Sequence, residues 1–282
     1  MNDQAKPLRK LMWEQKRKSI YISVSSGKGG VGKSNFVVNL AYILSQMRKK
    51  VLVFDADISL ANVDVLLNLN VKNNIRDYLF GKVDFTEIIA KNIFGFDVIP
   101  ASSGFSDLSE LSNEQIDKII DIFIDLDKTY DYIIFDTGAG ITDIVIKFAS
   151  LADYFVVVTQ PEPAAITDAY ALIKVVNHEE NVDSAYLVLN RVKSAGRDVK
   201  VYENLKRIIN KFLNVNLEYL GTIREDKDID KAIIGQKLIC ESMPKTKYSR
   251  DLLSIANKIA GERKVSKRFN FYNFFKGKRV NG

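Results

Sequence analysis

Gly27-Lys28-Gly29-Gly30-Val31-Gly32-Lys33-Ser34 decides the fold. An apolar run, Ile20-Tyr21-Ile22-Ser23-Val24, precedes it, and Phe36-Val37-Val38-Asn39-Leu40-Ala41 follows. The order is strand, glycine-rich turn, helix. The spacing is GxxxxGK[ST], a phosphate-binding loop. Glycines let such a loop curl its N–H groups inward onto phosphate oxygens, and the helix behind adds its positive end. Gly29, Gly30, Val31, Gly32, Lys33, Ser34 and Asn35 are the expected nucleotide-contacting stretch. Lys33 is placed to reach the β- and γ-phosphates of ATP, and Ser34 to ligate Mg²⁺.

Outward from the loop, Val51-Leu52-Val53-Phe54 is a short buried-type strand that runs into Asp55-Ala56-Asp57. Carboxylates at the carboxyl end of a parallel strand face the ligand crevice. Asp57 is the candidate for positioning the attacking water, and it counts with Ser34 among the metal-facing oxygens. Tyr132-Ile133-Ile134-Phe135 leads into Asp136, a strand-end carboxylate suited to Mg²⁺. Gly138 to Gly140 read as a loop whose N–H groups, Gly140 included, meet a γ-phosphate. Further strands are expected at 96–100, 153–159 and 186–192, with one more before Gly221. Helices are expected at 109–128, 164–177 and 246–260, and two short ones within 71–95. The fold class is α/β, a P-loop NTPase. Its mostly parallel, doubly wound sheet has about seven or eight strands with helices on both faces.

The second loop lysine, Lys28, narrows the reading. KGGVGKS resembles the deviant Walker A box of the MinD/ParA family of ATPases. The resemblance implies that Lys28 crosses a homodimer interface to the partner's nucleotide, so that ATP joins two subunits. It also implies that 55–64 is switch I, with Ser59 where glycine is usual, and that DTGAG at 136–140 is switch II. Asn190 matches the adenine-reading asparagine of the family. Arg224 stands where the family often has proline, a departure that bears on base contacts by that loop.

Composition bounds the rest. The chain has 282 residues, 46% of them hydrophobic, enough for one substantial core. One cysteine and one histidine exclude a disulfide framework, a Cys/His metal cluster and a bridging iron–sulfur carrier, and suit a reducing cytosol. The net charge of +6 is uneven: residues 1–18 carry +4, 262–282 carry +6, and 19–261 about −4. A basic surface for nucleic acid is therefore not implied, and no direct nucleic-acid partner is expected. The expected partition is an N-terminal segment 1–18, an ATPase domain 19–261 and a tail 262–282.

Both ends carry signals. Asp3-Gln4-Ala5-Lys6-Pro7-Leu8-Arg9 fits DQAxxLR and resembles the activator motif of the FlhG (YlxH, FleN) family of flagellar ATPases. By that resemblance Asp3, Gln4, Ala5, Leu8 and Arg9 dock on the GTPase FlhF and stimulate it, and flagellar C-ring components are further partners. The tail interleaves Phe269, Phe271, Tyr272, Phe274 and Phe275 with basic residues such as Lys276. Aromatics beside basics suit an anionic membrane surface. Such a tail would hold the protein at the inner face of the cell membrane in its ATP state. The expected function is a slow, dimerising ATPase switch that governs flagellar number or placement. The alternatives are a division-site MinD and a DNA-partitioning ParA.

Overall fold

In the computed structural model, residues 18–57, 63–69, 72–100, 113–193 and 196–262 are described. Eight strands form one sheet: β1 (Ile20–Ser26), β2 (Val51–Ala56), β3 (Ala90–Ile93), β4 (Phe96–Ile99), β5 (Tyr132–Ala139), β6 (Tyr154–Thr159), β7 (Ser184–Val192) and β8 (Asn216–Arg224). Their spatial order is β3-β4-β2-β5-β1-β6-β7-β8. All neighbours pair in parallel except β3 with β4.

The central strands are apolar on both faces because helices cover both. Tyr21, Ile22 and Val24 of β1 are fully buried, and so is almost all of β6. That is the two-sided burial expected of a parallel α/β sheet. On one face α1 (Lys33–Gln46) lies with α8 (Asp228–Ile234), α9 (Ile239–Ser242) and α10 (Lys247–Gly261) against Ile22, Val24 and Val53. On the other face α4 (Asn113–Thr129) and α5 (Asp143–Leu151) pack on Tyr21, Phe54 and Phe135. Beside them α6 (Pro163–Glu180) and α7 (Arg197–Phe212) pack on Phe155, Leu187 and Leu217. Two further short helices among the described residues are α2 (Val63–Leu67) and α3 (Ile75–Leu79).

The expected strands and the doubly wound architecture are present. One correction concerns 71–95. Beside two short helical elements, α3 and a 3₁₀ helix over Phe85–Ile88, this stretch holds the edge strand β3, which was not expected. Asn92, Phe94 and Gly95 adopt positive φ and reverse the chain into β4, making the antiparallel hairpin. A second correction concerns β5, which runs through Thr137 and Gly138 to Ala139 and does not stop at Asp136. Thr137 Oγ1 donates to the Val24 carbonyl at 3.1 Å, which helps keep this extension against β1.

The entrance to the domain is pinned. The N–H groups of Lys18 and Ser19 both donate to the Asp127 carboxylate at 3.1 Å. At the other end, the Tyr154 hydroxyl donates to Glu262 at 3.0 Å. Asp3, Gln4, Ala5, Leu8, Arg9, Ser59 and the tail residues from Phe269 to Lys276 lie outside the described residues. No helix among the described residues is long and apolar enough to cross a membrane.

Candidate nucleotide site

The glycine-rich loop leaves the carboxyl end of β1 and enters α1, at the point where the sheet order branches to β5 on one side and β6 on the other. This is where doubly wound sheets bind ligands. Gly30 and Gly32 have φ of +76° and +89°, which side chains disfavour. Gly32 is restricted twice, because a Cβ there would lie 2.5 Å from Asn190 Nδ2. Gly27 is restricted by proximity alone: its Cβ would lie 2.3 Å from the Asp168 backbone on α6.

The two loop lysines are separated. Lys33 is buried, and its Nζ donates to Asp136 Oδ1 at 2.5 Å. Lys28 is 49% exposed, and its Nζ stands 4.0 Å from Glu162 Oε2, an exposed ion pair worth little. Ser34 and Asn35, in the first turn of α1, are half-buried. Asn35 Oδ1 accepts from Asn39, whose own Oδ1 accepts the Cys240 N–H at 3.0 Å, tying the loop helix to α9.

Carboxylates crowd the end of the sheet beside the loop. Asp55 and Asp136 are register partners on β2 and β5, and both are buried. Asp136 Oδ2 is buried with no hydrogen-bond partner among the described residues. Burial, and then the charge of Asp136, push the Asp55 carboxyl up to about 7. A raised carboxylate pKa means that the folded state holds a proton the unfolded state has released. The Asp55 share of stability is therefore full below pH ~4 and is lost as pH climbs toward about 7. In nucleotide- and metal-free protein, urea titrations between these limits should show stability falling with pH, and Asp55→Asn should flatten that slope.

Asp57 is buried at 5% exposure, and its Oδ1 lies 3.5 Å from where a Cβ on Gly138 would sit. The structure thus brings Lys33 onto Asp136 and sets Asp57 beside Gly138 of the same strand, with Ser34 following Lys33 in the first turn of α1. It modifies two other expectations. The Gly140 N–H donates to the Ser26 carbonyl at 2.9 Å, so it is committed to β1. Asn190 is 3% exposed; its Nδ2 donates to the Val31 carbonyl at 2.7 Å and its Oδ1 accepts the Arg191 N–H at 2.9 Å. Asn190 thereby clamps the phosphate loop, and only its remaining N–H and lone pair are left for a base. Arg224 is also occupied: its Nε and Nη2 form a two-pronged pair with Asp251 on α10, at 2.8 and 2.6 Å.

Three features of this end of the sheet escape the sequence: the Asn190 clamp, the approach of Asp168 to Gly27, and the contacts of Asp55. The first two span more than a hundred residues and leave no local signal. The third carried a hint in the doubled carboxylate of Asp55-Ala56-Asp57.

The comparisons agree with this geometry. A family model described as an AAA domain matches residues 19–186. The chain is 36% identical over 238 residues to the antiactivator FleN of Pseudomonas aeruginosa, covering 84% of this chain and 85% of that protein. It is 37% identical over 268 residues to the flagellum site-determining protein YlxH of Helicobacter pylori, covering 91% and 90%. Among solved structures, the MinC:MinD cell division protein complex of Aquifex aeolicus matches with a TM-score of 0.71 at 26% identity, over 89% of this chain and 99% of that one. A phosphate loop at the branch point of such a sheet, together with similarity to these proteins over most of the chain, makes the chain an ATPase of the MinD/ParA family, and it belongs to the branch that holds FleN and YlxH.

Proposed function

We propose that the protein is an ATP-dependent dimerising switch that acts in flagellar patterning. The observation that carries the reading is the separation of the two loop lysines. Lys33 is buried on Asp136, where it serves its own subunit's nucleotide. Lys28 points to the surface beside the same loop, where it is available to a second subunit. In this reading the loop amides and Lys33 hold the phosphates, and Asp57 orients the attacking water. Ser34 and Asp136 fit Mg²⁺, because Asp136 Oδ2 is a buried oxygen with no donor. When bound there, Mg²⁺ would neutralise charge on the β- and γ-phosphates.

The flagellar assignment is supported by the names of the relatives and by Asp3-Gln4-Ala5-Lys6-Pro7-Leu8-Arg9. We assign residues 1–18 to stimulation of the GTPase FlhF, 19–261 to the ATPase, and 262–282 to an anionic membrane surface in the ATP state. Flagellar C-ring components are further partners. The basic, aromatic tail supports the membrane role, since apolar rings and cationic heads both gain at an anionic interface.

The test is GTP hydrolysis by FlhF with the full-length protein, with a version lacking residues 1–18, and with that segment as a peptide. Stimulation by the full chain and the peptide, with none by the truncation, is the expected result. No stimulation by any of the three removes the FlhF assignment and favours a division-site role, as in the MinD relatives.

A further inference from the structure

We infer that Asp55 is a positioning residue for hydrolysis: one carboxylate clasps both ends of switch I and so fixes where Asp57 stands. The inference rests on the reading of Asp57 as the residue that orients water. Asp55 is buried at the end of β2. Its Oδ1 accepts the N–H of Asp57 at 3.0 Å. Its Oδ2 accepts the N–H of Val63 at 3.3 Å. Val63 is the fully buried first residue of α2.

The first contact alone would be an ordinary turn, in which an aspartate bonds the backbone two residues on. The second reaches eight residues along the chain. Together they fasten the residues on either side of 58–62 to one rigid group. That group is well located in turn, because the β2–β5 register sets Asp55 beside Asp136. Asp57 is therefore held from its backbone by Asp55, while its carboxylate rests over Gly138 of β5. The distance from Asp57 to the Asp136–Lys33 pair is set through the sheet, by way of Asp55. A reacting geometry displaced by about 1 Å can cost on the order of 100-fold in rate.

Two variants attack the clasp from opposite sides. Asp55→Asn keeps the shape and one acceptor but turns an N–H₂ toward a donor. Val63→Pro deletes the donor; proline is tolerated in the first turn of a helix. The full-length protein is assayed for ATP binding by a fluorescent analogue and for turnover at saturating ATP, with thermal melts to verify folding. We expect kcat to fall by about 10- to 100-fold in each variant, with ATP affinity within about threefold of wild type. The double variant should lose less than the product of the two single losses, because the two changes share the Asp55–Val63 bond.

Wild-type turnover by Asp55→Asn, while Asp57→Ala is inactive, overturns the clasp and leaves the Asp57 reading standing. Losses that multiply in the double variant also overturn it. Normal turnover by Asp57→Ala overturns both readings at once. Should Asp55→Asn not fold, Val63→Pro decides: a kcat loss at unchanged affinity supports the clasp, and unchanged kcat rejects it.

Discussion

Replacing Lys33 with alanine is expected to destabilise the protein by about 3–5 kcal/mol, besides ending ATP hydrolysis. The loss comes less from the attraction removed than from what remains. Asp136 is fully buried, its Oδ2 already lacks a donor, and Lys33 donates to Oδ1. Without the lysine, the buried carboxylate loses its counter-charge beside the Asp55 carboxyl. Urea denaturation checks this, and the double variant Lys33→Met, Asp136→Leu separates the causes. It should recover most of the lost stability, because no charge is stranded, while remaining unable to hydrolyse ATP. An unchanged urea midpoint for Lys33→Ala would show that Asp136 is not isolated from solvent in the way its burial implies.

The second large effect is expected at Gly27. A single methyl there would lie 2.3 Å from the Asp168 backbone carbon and oxygen. A flexible side chain could move away, but α6 backbone cannot move without disturbing β6 and β7. Overpacking of this kind costs about 1–3 kcal/mol, and here the strain falls on the phosphate loop itself. Gly27→Ala should therefore lower the melting temperature and weaken ATP binding by at least about tenfold, a loss of ~1.4 kcal/mol. Gly29→Ala is the control. A Cβ at Gly29 meets nothing within 4 Å, so that variant should melt like the wild type. Equal melting temperatures for the two variants would contradict the close approach of α6.

Much of this site was legible because its parts are local. The loop needs its glycines, lysine and serine at fixed spacing, and each candidate carboxylate follows an apolar strand within a few residues. The parts that were not legible depend on distance or on edge strands. The Asn190–Val31 bond joins residues 159 apart in sequence, and an asparagine at a strand end reads equally well as a base contact. β3 lies at the sheet edge with Lys91 and Asn92 exposed, so it lacks the apolar alternation that marks a strand. Gly138 reads as a turn residue, yet β5 continues through it, with Ala139 paired to Ser26 of β1. The commitment of Gly140 to Ser26 follows from that extension.

The central claim is that ATP joins two copies through Lys28. Light scattering on the Asp57→Ala protein, which should bind ATP without hydrolysing it, tests this most directly. The expected result is a doubled mass with ATP, a monomer with ADP, and a monomer with either nucleotide once Lys28→Ala is added. A monomer in every condition, or an ATP-dependent dimer that survives the loss of Lys28, would contradict it.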